Sequence, residues 1–184
     1  MRIIHFSDTH LRFNDLDIIN EDNINQREAD FYDAFSQVVK QIKPDYVIHT
    51  GDLFHRSSPS NGAITVALEQ FKIINSLNIS FILIAENHST LRTNLSSLIL
   101  KIFENFENIY VSYDQQYKKH EFKDIVFYCL PHMNDDSKAL SQIELYKESI
   151  NESKKNIMMH CSVGDWYLMQ EFGEWVSSQQ FHCR

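Results

Sequence analysis

The stretch YVIHTGDLFH, residues 46–55, decides the fold: an apolar run of strand length stops at a glycine, and Asp52 and His55 follow at once. Similar runs recur at 2–6 (RIIHF), 81–85 (FILIA), 125–130 (IVFYCL) and 156–160 (NIMMH). Between them the apolar spacing turns helical. In EADFYDAFSQVVKQI, Phe31, Phe35, Val38, Val39 and Ile42 repeat near i, i+4, i+7, and AITVALEQFKIINSL and SSLILKIFENF follow suit. The order predicts β-α-β-α-β-α, then further strand and helix. Continuous apolar strands alternating with amphipathic helices imply a sheet covered on both faces, an α/β layered fold. Such folds gather their sites at the carboxyl ends of the strands.

Metal-type side chains stand at four of those ends. The first strand exits into Ser7-Asp8-Thr9-His10, the second into Gly51-Asp52-Leu53-Phe54-His55, the third into Asn87-His88 and a later one into His160. In an extended segment residues i and i+2 share a face, so Asp8 and His10 are expected to converge on one ion. Asp52, from a neighbouring strand, has two oxygens with which to bridge two ions. Imidazole, carboxylate and amide ligands together suit manganese, iron or zinc. Two such ions ~3.5–4 Å apart clamp the attacking and leaving oxygens of an in-line phosphoryl displacement, which points to phosphoester hydrolysis. Taken singly, each motif also has a plain structural reading. Asp8-x-His10 and Gly51-Asp52 are turn signals, Asn87-His88 precedes Ser89 and Thr90 as a helix-capping loop, and His160 suits a buried, hydrogen-bonded histidine.

Composition sets outer bounds. The 184 residues, 43% hydrophobic with 13 Phe and 8 Tyr, fit one domain with a sizeable core, expected over 1–173 with an irregular tail at 174–184. A net charge of −8 argues against non-specific nucleic-acid binding through a basic surface, although divalent cations in a site reverse the local field. Cys129, Cys161 and Cys183 are odd in number and lack CxxC spacing, so neither a disulfide framework nor a thiolate zinc site is expected. No leader pattern or apolar run of membrane-spanning length is found, and a cytoplasmic protein without membrane association is expected. Of the other histidines, His5 and His49 lie inside strand patterns and are expected as satisfied sheet histidines. His120 falls in YKKHEFKD, expected as a charged, solvated turn, and His132 follows a strand exit that can border the cleft.

In order, SDTH, GDLFH, NH and the strand-terminal His160 resemble the signature of calcineurin-like metallophosphoesterases, over most of residues 2–164. GDLFHRSSPS, preceded by NQREADFYDAF, is similar to the SbcD-type nuclease subunit of DNA double-strand-break repair complexes. The resemblance implies a layered fold with central sheets flanked by helices and two divalent ions, manganese first among them. Asp8 and His10 would bind the first ion, Asp52 would bridge both, and Asn87 and His160 would bind the second. His88 would contact the scissile phosphate and assist the leaving oxygen, while His55 would orient the nucleic-acid strand. DNA, an SbcC-type ATPase subunit and a second copy of the chain are the implied partners.

Two departures from that pattern stand out. Glu86 occupies the place of a glycine before Asn87, bringing a Cβ and a negative charge beside the phosphate subsite. The later Gly-His-x-His is not found, FHCR at 181–184 being the nearest match, and the chain is expected to be C-terminally incomplete. Three functional readings follow: a metal-dependent DNA exo/endonuclease, a phosphoesterase for small phosphomonoesters or cyclic nucleotides, and a non-catalytic remnant serving as an interaction module.

Overall fold

The computed structural model describes residues 1–12, 18–22, 24–41, 44–56, 58–85, 97–133, 135–149, 156–159, 163–164 and 176–177. Their elements run β1 (Ile3–Phe6), α1 (Gln26–Gln41), β2 (Tyr46–His49), α2 (Asn61–Ser76) and β3 (Ser80–Ile84). Next come α3 (Ser97–Lys101), continued by a 3-10 turn over Ile102–Asn105, β4 (Ile109–Ser112), β5 (Lys118–Glu121) and β6 (Val126–Leu130). The remainder are α4 (Asp136–Ser149), β7 (Asn156–Met159), β8 (Val163–Gly164) and β9 (Val176–Ser177).

Strands β1 to β4 form one parallel sheet in sequence order, with Phe6, His49 and Leu83 in register across the first three. Side chains alternate across it, so each face collects its own core. One face sends Val47, Phe81, Leu83, Ile109 and Val111 against Phe35 of α1, Ala63, Ala67, Phe71 and Ile74 of α2, and Leu100 and Phe103 beyond. The other sends Ile48, Ile82 and Ile84 against Ile125, just before β6, and against Phe127 and Cys129 of a second sheet, ordered β5-β6-β7. Tyr128, pointing away from that interface, stacks on Tyr117 and meets Tyr146 of α4 edge-on at 5.4 Å. The layers are therefore helices, sheet, sheet, helix. The covered faces expected from the apolar strands are present, the second cover being another sheet.

Local signals set the helix limits. Asn25 caps α1, its Oδ1 accepting from the Arg27 and Glu28 amides at 3.0 and 3.4 Å. Ser60 caps α2 by accepting from the Ala63 amide at 3.2 Å. That helix stops where Asn78 turns left-handed at φ 54° and the Ile79 amide reaches back to the Ile74 carbonyl.

One sequence expectation needs correction, and two strands add to the reading. YKKHEFKD is not a solvated turn: Lys118–Glu121 is an antiparallel strand of the second sheet, with alternate residues half-buried. His120 faces inward, its Nε2 3.3 Å from the Ser112 Oγ and its ring against Tyr110. The run Ile109–Ser112, not singled out by periodicity, supplies β4. Val176–Ser177, within the stretch expected to be irregular, pairs in parallel with Val163–Gly164. Cys129 is fully buried, which pushes its thiol up to about 12 and keeps it neutral. Among the described residues no helix is long and apolar enough to cross a membrane.

Two measurements test this packing. Phe71 touches Phe81 at 4.9 Å and Phe103 at 4.5 Å between ring centroids, joining sheet to helices. Phe71→Ala is expected to lower unfolding stability by about 3–5 kcal/mol in urea titration, from lost burial and the cavity left behind. Burial, aided by the Lys118 charge, lowers His120 from the ordinary 6.5 to about 4. The unfolded chain thus takes this proton at a higher pH than the folded one, and stability present above about 6.5 is lost as pH falls toward 4. The urea midpoint should decline across that window, and His120→Gln should flatten the decline.

Candidate metal centre

The exits of β1 and β2 run side by side and are laced by backbone hydrogen bonds. The Thr50 amide donates to Phe6, Asp8 to Gly51, His10 to Asp52, Leu11 to Leu53 and His55 back to Leu11, all at 2.9–3.1 Å. Leu11 and Phe54, both buried, form an isolated parallel bridge that anchors the far end of this ladder.

Along it the backbone is not extended. Asp8, His10 and Asp52 all take left-handed torsions, with φ of 58°, 41° and 56°, and Arg12 continues the alternation at 77°. Gly51, at φ 114°, uses the freedom that its missing Cβ allows. The sequence expectation that Asp8 and His10 share the face of an extended segment is thus corrected. They converge through a kinked turn whose torsions cost of order 1–3 kcal/mol per residue and persist because the neighbouring exit holds them.

The result is a cluster. Asp8, His10 and Asp52 each present a ligand-type atom, and these atoms lie within 4.8 Å of one another. The His10 Nε2 stands 3.5 Å from the Asp52 Oδ2 and 3.8 Å from the Asp8 Oδ1. Asp52 is buried and Asp8 half-exposed, so one carboxylate is fixed at the base while the other faces the opening. The Ser7 hydroxyl donates to the second Asp8 oxygen. Two carboxylates flanking an imidazole fit a divalent cation of the manganese, iron or zinc kind, whose charge would offset their mutual repulsion.

His55 lies beside this cluster, its ring edge-on to His10 at 5.5 Å. The structure therefore brings Asp8, His10, Asp52 and His55 together. Glu86, Asn87, His88 and His160 fall outside the described residues. Ala85, the last described residue before them, follows β3 at the same edge of the sheet, and its carbonyl accepts from the His132 amide at 3.0 Å. That bond ties the exit of β6 to the exit of β3, next to the segment that carries Asn87.

The sequence reading assigns no role to Thr9, which sits between two candidate ligands. Its hydroxyl bonds the Leu53 carbonyl at 3.1 Å and the His49 Nε2 at 3.0 Å. His5, as expected, is a satisfied sheet histidine, its Nε2 3.0 Å from the Thr50 Oγ1.

Comparison with known proteins fits this arrangement. The family model described as calcineurin-like phosphoesterase matches residues 1–179. The DNA double-strand break repair protein Mre11 of Saccharolobus solfataricus is 32% identical, over 91% of this chain and 45% of its own. Mre11 of Sulfurisphaera tokodaii is 36% identical, over 86% and 40%. The SbcD component of the SbcCD nuclease from Staphylococcus saprophyticus subsp. saprophyticus is 30% identical, over 86% and 45%. This chain thus spans a little under half the length of these relatives. A solved structure at 9% identity superposes with a TM-score of 0.53, over 89% of this chain and 70% of that one, a likeness of fold. With a match over nearly its whole length, the chain belongs to the calcineurin-like phosphoesterase family.

Proposed function

We propose that this chain is the nuclease domain of a DNA double-strand-break repair enzyme and hydrolyses phosphodiester bonds with two divalent ions, most fittingly manganese. The observation that carries the reading is the Asp8–His10–Asp52 cluster on two laced strand exits. The names of the relatives, Mre11 and the SbcCD nuclease, support DNA as the substrate.

In this reading Asp8, His10 and Asp52 would hold one ion, and Asp52 together with Asn87 and His160 would hold a second. Ions bound there supply Lewis acidity to the phosphoryl oxygens and acidify the attacking water. The chain's own residues do the rest. Buried Asp52, fixed by the bonds of its neighbours, keeps the ligand atoms in place without reorganisation during the reaction. His88 would contact the scissile phosphate and stabilise or protonate the departing sugar oxygen, a task for a positioned imidazole. His55, at the mouth beside His10, orients the strand. An SbcC-type ATPase subunit and a second copy of the chain are its proposed partners, and the cytoplasm its proposed compartment.

Manganese-dependent cleavage of linear duplex DNA tests the assignment. Asp52→Ala should lower the rate by about 100-fold or more, since the several kcal/mol supplied by the ions are lost with their shared ligand. An unchanged rate would sink it.

Glu86, directly before Asn87-His88 in the sequence, would bring a negative charge to the proposed phosphate subsite, so Glu86→Gly should raise metal-dependent hydrolysis. No gain would leave that charge without effect on the reaction. The net charge of −8 favours a second reading, a small phosphomonoester as substrate. Nitrophenyl phosphate assayed beside DNA separates the two, and faster turnover of the small ester would favour the second.

A further inference from the structure

We propose that His49 is a positioning residue that sets the two ligand-bearing turns against each other, acting through Thr9 as a neutral imidazole protonated on Nε2. The inference rests on the metal-centre reading above for its consequence, though not for its geometry.

His49 is the last residue of β2 and is completely buried. Phe6 meets its ring edge-on at 4.9 Å and Phe81 lies 6.4 Å away with its plane tilted by 28°, so packing restrains its orientation. Its two nitrogens then face different turns. The Gly51 amide donates to Nδ1 at 3.3 Å. An amide N–H cannot accept, so Nδ1 is unprotonated and a neutral ring carries its proton on Nε2. That Nε2–H points at the Thr9 Oγ1, 3.0 Å away, and the Thr9 hydroxyl donates onward to the Leu53 carbonyl at 3.1 Å.

With that tautomer each donor in this relay has an acceptor: Gly51 N–H to His49, His49 to Thr9, Thr9 to the Leu53 carbonyl. The relay begins and ends on the residues that flank Asp52. It passes through the one residue that separates Asp8 from His10. A strained turn on each exit, with left-handed torsions at Asp8, His10 and Asp52, is thereby joined by side chains as well as by backbone. Apolar packing at position 49 would fill the space and leave the Gly51 amide and the Thr9 hydroxyl without the partner that aligns them. Partners that orient metal ligands from outside are typically worth 10–100-fold in metal affinity.

Two measurements decide the matter. In long-range 1H–15N spectra of the metal-free protein, His49 should show a protonated Nε2 and an unprotonated Nδ1. A proton on Nδ1 overturns the proposal whatever the protein binds. In calorimetric titration with manganese, His49→Leu and Thr9→Val should each weaken binding by about 10-fold or more, and Thr9→Ser, which keeps the hydroxyl, should stay near wild type. The double variant should be little worse than either single one, because both remove the same bond. Thr9→Val keeps the test open should His49→Leu fold poorly. Wild-type binding that the Thr9→Val variant retains within about twofold, or fully additive losses, would overturn the proposal. A wild-type protein that binds no manganese would overturn the metal-centre reading instead, and the tautomer would still decide the linkage.

Discussion

The arrangement depends on the lacing of two neighbouring strand exits. Parallel β1 and β2 end in register at Phe6 and His49, and their bonding then continues past the sheet. Asp8, His10 and Leu11 donate amide protons to Gly51, Asp52 and Leu53 in turn. A loop that left the sheet freely would scatter its side chains. This one keeps a shared register with its neighbour for about five further residues, so Asp8 and His10 face Asp52 by construction. The left-handed torsions at all three residues are held by the facing turn, the Asp8 and His10 amides donating across it and the Asp52 carbonyl accepting.

The layering behind that edge explains why it is stable enough to carry such turns. The parallel sheet is sealed on one face by the phenylalanine network of Phe35, Phe71, Phe81 and Phe103 and on the other by the second sheet. Strands β1 to β4 point the same way, so their exits lie along one edge. The second sheet reaches the same edge, where the His132 amide bonds the Ala85 carbonyl. A site assembled there draws on several strands at once, and no single loop has to hold it.

Much of this was legible in the sequence, for a physical reason. Residues 46–49, 80–84 and 126–130 are buried on both sides, so they read as continuous apolar runs. Residues 118–121 are an edge strand with one half-buried face, and alternation among Lys, Lys, His and Glu carries no hydrophobic signal, which hides the strand. Asp8, His10 and Asp52 were recognisable from residue type and from their place after strands. Their torsions were not, because i, i+2 spacing suits both an extended segment and an alternating left-handed turn. Thr9 and His49 were invisible as a pair, since only folding brings residues 40 apart within 3.0 Å.

The same torsions bear on how such motifs should be read. Taken alone, Asp8-x-His10 and Gly51-Asp52 are turn signals that compete with a chemical reading. In the structure the two readings coexist: these residues form turns, and their ligand-type atoms cluster. Aspartate and histidine are among the few non-glycine residues that enter the left-handed region with any frequency, and they also carry metal-ligating atoms. One residue can therefore bend the backbone and present a ligand-type atom, as Asp8, His10 and Asp52 do at φ 58°, 41° and 56°. A turn signal after a buried strand neither weakens nor strengthens the case for a site. What discriminates is whether a second exit, locked to the first by hydrogen bonds, brings a complementary side chain within ligand distance. Between β1 and β2 that condition is met by the 3.5 Å approach of His10 to Asp52.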